Sequence, residues 1–116
     1  MYNPKIIKEA EAKKIMEEIG VEKAGIIYMM PKTKFRLIKL DKVRNAIANI
    51  LKQEMLSIGG DVAVNKGCVN CSVQKSDVLL MGTVKQYQRL VEKMKKQVTE
   101  SKDIAITIEE FLKNLL

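Results

Sequence analysis

The sequence predicts an α+β domain in which a small mixed sheet packs with helices in a two-layer or three-layer sandwich. Three observations predict it. Segments of strand type alternate with segments of helical 3-4 spacing, glycine turns separate several of them, and 116 residues suffice for one core but not for several.

Taken in order, Lys5 to Ile19 carries Ala12, Ile15, Met16 and Ile19 among charged residues, a short apolar stripe on a helix that Gly20 ends. Residues 1–20 are therefore expected to be a peripheral helix on an α/β core spanning 21–97. Ala24 to Met30 (AGIIYMM) and Lys34 to Leu40 (KFRLIKL) have strand composition, and Pro31-Lys32-Thr33 between them suggests a hairpin. Asp41 to Ile58 (DKVRNAIANILKQEMLSI) is the strongest amphipathic segment. Val43, Ala46, Ile47, Ile50, Leu51 and Ile58 fall on one face, Asp41 is placed to cap the first turn, and Gly59-Gly60 stops the helix before a strand at Asp61-Val62-Ala63-Val64.

A polar connection from Asn65 to Ser76 leads to Asp77-Val78-Leu79-Leu80-Met81, a run that suits a strand buried on both faces. Gly82-Thr83 ends it. Thr83 with Gln86 three residues later fits a capping box, followed by Val84, Tyr87, Val91, Met94 and Val98 at helical spacing. The segment 98–116 reads either as one helix from Ser101, or as a short strand from Asp103 to Ile106 and a helix capped by Thr107 with Glu110. Ile108, Phe111, Leu112 and Leu115 form its apolar face in both cases.

Composition excludes several chemistries. The chain is 47% hydrophobic and 30% charged, the balance of one water-soluble domain. It is less than half the length of an enzyme barrel of about 250 residues. It contains no histidine, which rules out imidazole bases, Ser-His and Cys-His pairs and His-ligated metals within the chain. No apolar run approaches the ~20 residues of a membrane span, and the first residues lack a secretory apolar region, so the cytoplasm is the expected location and no membrane partner is expected. With 21 Lys and Arg against 14 acids, the net charge of +7 favours anionic partners without choosing among them.

The stretch NILKQEMLSIGGDVA (Asn49 to Ala63), followed by DVLLMGTVKQYQRLVEKM (Asp77 to Met94), resembles the amino-terminal region of dihydropteroate synthases, especially archaeal and related bacterial forms. The likeness extends to Gly25 to Leu40, where Met30-Pro31-Lys32 lies between two apolar stretches, and so covers roughly residues 20 to 97. That family joins a dihydropterin pyrophosphate to an arylamine for folate synthesis, or in methanogens for methanopterin synthesis. Its chemistry sits on a TIM barrel. The resemblance implies an accessory domain or subunit without catalytic residues of its own, whose partner is the pterin-binding barrel. No cofactor and no metal are implied, and self-association is left open.

Candidate sites stand beside plainer readings. Lys52, Gln53 and Glu54, late in the central helix, together with Gly59 and Gly60 offer a docking or ligand surface, or else internal pairing and a tight turn. Gly82, Thr83 and Lys85 have the strand-to-helix polarity of an anion site, or of an ordinary capped junction. Cys68 and Cys71 form a lone C-x-x-C: two reduced thiols, a reversible disulfide, or a metal site that needs outside ligands. The basic helical face with Lys85, Arg89, Lys93, Lys95 and Lys96 is read as solvated. Nucleic acid is not the expected partner, because aromatic residues do not interleave with the basic ones.

Overall fold

The computed structural model describes residues 1–115. Within them are three strands and five α-helices: α1 (Ala12–Ile19), α2 (Lys23–Met29), β1 (Phe35–Arg44), α3 (Asn45–Ser57), β2 (Asp61–Ala63), β3 (Lys75–Thr83), α4 (Val84–Lys95) and α5 (Thr99–Leu115). The class is α+β, as the sequence predicts. The sheet order is β1-β3-β2, and both pairings are antiparallel, so the expected mixed sheet is corrected to a purely antiparallel one. β1 and β2 run parallel to each other, with α3 crossing between them, but β3 lies between the two, so each hydrogen-bonded pair is antiparallel.

The amino-terminal helix is shorter than the expected segment from Lys5 to Ile19. A 3-10 turn at Glu9–Glu11 precedes it, no residue of α1 is fully buried, and Gly20 closes it at φ 89°. The segment AGIIYMM is α2, not a strand. Of its apolar side chains only Ile26 is buried, and a helix satisfies its own backbone, whereas an extended segment at this rim would need a neighbouring strand. Pro31 then starts a 3-10 turn (Met30–Lys32), which Thr33 closes by donating its hydroxyl to the Met30 carbonyl at 2.7 Å. The expected hairpin is thus a helix-to-strand connection.

β1 runs four residues beyond the expected strand. Asp41 belongs to it rather than capping a helix, and Val43 is a buried strand residue. The register against β3 shifts between Leu40 and Val43, where Lys42 takes φ 51° and donates its backbone N–H to Asp77 Oδ1 at 3.0 Å. Without a side-chain cap, the start of α3 is held by Asn45, whose backbone N–H and side-chain amide donate to the carbonyls of Gln74 and Val73.

α3 buries Ile47, Ala48, Leu51 and Met55 against the sheet face that carries Ile38, Val62, Val78 and Leu80. α4 adds Tyr87, Leu90 and Met94 to the same core, and α5 adds Ala105, Ile108 and Leu112. The result is two layers. α5 is one helix starting at Thr99, which decides between the two readings of the last segment; the Leu115 side chain lies outside the described residues. β3 alternates buried Ser76, Val78, Leu80 and Gly82 with outward Lys75, Asp77, Leu79 and Met81, so it is buried on one face, not both. The helices cover one side of the sheet, and the other stays open.

Candidate functional site

The structure brings two of the sequence-predicted groups together. The Gly59-Gly60 turn and the Gly82-Thr83 junction lie side by side, joined by Gln86 and Met55. Gln86 completes the capping box: its Oε1 accepts the Thr83 backbone N–H at 2.8 Å, and the Thr83 hydroxyl accepts the Gln86 N–H at 3.2 Å. Its Nε2 donates to the Ile58 carbonyl at 3.2 Å, across to the end of α3. A Cβ on Gly60 would stand 2.7 Å from the Met81 carbonyl oxygen and 2.8 Å from Met55 Cε, and one on Gly82 would overlap Met55 Cε. The glycines therefore admit a methionine and a neighbouring strand, and only Gly59 is needed for its positive φ of 95°.

The same hydrogen bonds occupy the donors expected to face an anion. The Thr83 and Gln86 N–H groups serve the capping box, and the Val84 N–H donates to the Lys34 carbonyl at 2.8 Å. Lys85 points elsewhere. Its ammonium lies 5.1 Å from the centre of the Tyr28 ring, which also carries Lys32 at 4.5 Å. Beside them is an open groove of about 450 Å³, lined by Ile27, Tyr28, Met30, Pro31, Lys34, Val84, Lys85 and Gln88, with no carboxylate in its wall.

Lys52 and Glu54 are engaged inside the domain. Lys52 donates to Asp61 Oδ1 at 3.1 Å and to the Val62 carbonyl at 2.9 Å, tying α3 to β2. Asp61 also accepts the Val62 backbone N–H, and that bond, with Lys52 second, holds its carboxyl below the usual range. Glu54 pairs with Lys93 of α4 at 3.4 Å. Gln53 is exposed on the same turn. Cys68 is buried in the core and Cys71 is exposed; both are free thiols in the turns that precede β3.

The sequence reading missed the open face of the sheet. Leu37 is opposite Met81, Lys39 is opposite Leu79, and Ala63 completes the second row from β2. Phe35, Leu37 and Leu79 are 56%, 63% and 36% exposed, a contiguous apolar strip outside the core. Its signal was the period-two alternation within KFRLIKL, where Phe35 and Leu37 oppose Ile38 and Leu40, so both faces of this strand are apolar. The Tyr28 groove was equally hidden, because a strand reading of AGIIYMM placed Tyr28 in a sheet.

Against known proteins, the chain is 30% identical over 111 residues to a bifunctional dihydropteroate synthase/dihydropteroate reductase of Helicobacter pylori, a match covering 96% of this chain and 28% of that protein. It is 30% identical over 102 residues to a probable bifunctional folylpolyglutamate synthase/dihydropteroate synthase of Halobacterium salinarum, covering 88% of this chain and 12% of that protein. The chain is thus similar to a short region of dihydropteroate-synthase-containing proteins and spans 28% of the length of the first and 12% of the second. No protein-family model matches it, and no solved structure does so.

Proposed function

We propose that this domain is a noncatalytic accessory part of a dihydropteroate-synthase-type protein in folate or methanopterin biosynthesis, and that it acts by docking to the pterin-binding barrel. The carrying observation is the shape of the match: nearly all of this chain aligns with a minor share of two proteins whose names include dihydropteroate synthase. A domain used this way needs a firm core and an unpaired surface rather than a pocket of reacting groups. The tight glycine junction and the internal ion pairs of Lys52 and Glu54 support that division, since side chains suited to chemistry are occupied in holding α3, β2 and α4 together.

The test is to mix the purified chain with the dihydropteroate synthase of its source organism, lacking any region that aligns with this chain. The expected result is a complex on sedimentation and a raised melting temperature or altered turnover of the synthase. A chain that neither associates nor changes either property overturns the reading.

A second reading, a small-anion module, is favoured by one observation: Lys32 and Lys85 share the Tyr28 ring beside a groove that Lys34 also lines. Two like charges held to one ring are relieved by a bound anion. Calorimetry with inorganic pyrophosphate would give heat that Lys32→Ala and Lys85→Ala abolish; absence of heat in the unaltered chain removes this reading.

A further inference from the structure

We propose that Cys68 and Cys71 form a reversible redox site, in which exposed Cys71 attacks a small-molecule disulfide and buried Cys68 then closes an internal one, loosening the start of α3. This goes beyond the accessory-domain reading and does not depend on it.

The connection over residues 64–74 is wound into hydrogen-bonded turns, and one of them sets the separation of the two cysteines. The Cys71 backbone N–H donates to the Cys68 carbonyl at 3.3 Å, the bond of a four-residue turn, whose first and last Cα atoms lie within about 7 Å of each other. A disulfide spans about 4.4–6.8 Å between Cα atoms. The backbone thus holds the pair at bridging separation already. The Cys68 N–H donates to the Asn65 carbonyl at 3.0 Å and the Ser72 N–H to the Gly67 carbonyl at 2.9 Å, so the turn is fixed from both sides, with Cys71 at φ 59°.

The two sulfurs stand in opposite surroundings. Cys68 is 0% exposed within the core, Cys71 is exposed, and the sequence holds no third cysteine. Access therefore orders the chemistry. The Cys71 sulfur attacks as thiolate on one sulfur of the small disulfide, whose S–S bond breaks and releases one small thiol. The Cys68 thiol then gives its proton to water, its sulfur attacks Cys71 Sγ, and the second small thiol leaves. Two electrons have passed from the protein to the small disulfide, and a dithiol reductant reverses both steps.

Closing the bridge requires the Cys68 sulfur to turn out of the core toward Cys71. α3 feels that movement. The Cys68 carbonyl accepts the Asn49 side-chain amide at 3.0 Å, while the Val73 and Gln74 carbonyls accept the Asn45 side-chain amide and backbone N–H, each at 2.8 Å. These bonds tie the first turn of α3, which has no side-chain cap, to the same connection.

The experiment treats the full chain, folded and without denaturant, with oxidised glutathione. The expected product is a monomer lighter by the mass of two hydrogens, with Cys68 and Cys71 bridged in one peptide, and dithiothreitol restores the starting mass. The Asn45 backbone amide should exchange its hydrogen at least about tenfold faster in the bridged form. Cys68→Ala should stop with glutathione attached to Cys71, and Cys71→Ala should react at least about tenfold more slowly than the unaltered chain. The mass and exchange of the unaltered chain decide the outcome even if a variant fails to fold. Glutathione that persists on Cys71, a disulfide-linked dimer, or no reaction overturns the redox site. A bridge that leaves Asn45 exchange unchanged overturns its coupling to α3.

Discussion

The Tyr87 hydroxyl donates to the Arg36 carbonyl at 2.7 Å, linking the first turns of α4 to the start of β1 across 51 positions of sequence. Tyr87 is fully buried, so this one bond both satisfies the phenol and pins the sheet edge to the helical layer.

Tyr87→Phe removes that donor while keeping the ring. The expected loss is about 1–2 kcal/mol of unfolding free energy, read by urea denaturation. Burial also pushes the phenol well above its ordinary value of 10.0. Its contribution is complete below pH 10 and declines as pH rises above it, because the unfolded chain ionises there and the folded chain resists. Denaturation midpoints from pH 8 upward should fall more steeply in the unaltered chain than in the Phe variant; parallel curves would contradict this account.

At the glycine junction, Gly60→Ala places a methyl group against the Met81 carbonyl oxygen, a backbone atom that cannot swing aside. An overpacking cost of about 1–3 kcal/mol is expected. Thr83→Ala, which loses one arm of the capping box, is expected to cost about 1 kcal/mol. Thermal melts of the two variants rank these effects.

Acid should act through four carboxylates held below their ordinary values. Asp61 owes this first to the Val62 N–H, Asp77 to the Lys42 N–H, Glu9 to Arg36 and Glu109 to Lys95. Groups lowered by folding stabilise above their unfolded values, here 3.8 for Asp and 4.5 for Glu, and that support is lost as pH falls through the lower folded values. The melting temperature should be level with respect to these groups near neutrality and drop below about pH 4, with Asp77→Asn showing a shallower drop.

Thiol access should differ between the two cysteines. Iodoacetamide is expected to label Cys71 in the folded chain and Cys68 only after unfolding, as read by mass spectrometry of the peptides. Labelling of both at equal rates in the folded chain would contradict the burial of Cys68.

Much of the core was legible before any coordinates. Thr83 and Gln86 announced α4 because a capping box is a local device whose two partners lie three residues apart. Gly59-Gly60 marked the end of α3 for the same reason. The misread segments were those decided by tertiary neighbours. AGIIYMM has the composition of a strand, but no strand lies beside it, so it coils into α2. Asp41 has the chemistry of a helix cap, yet β3 provides partners as far as Arg44 and draws the strand past it. The candidate site was less legible. Lys52 and Glu54 looked available because their partners, Asp61 and Lys93, are fixed by packing rather than by spacing. The open face needed the sheet order, which periodicity does not give.

β3 is the last strand to be synthesised and the middle one in the sheet. While a ribosome is still making the chain before Lys75, Phe35–Arg44 and Asp61–Ala63 lack the strand they pair with, and their apolar side chains meet water or a chaperone. Premature termination anywhere ahead of Thr83 should therefore yield an insoluble or rapidly degraded product instead of a smaller folded one.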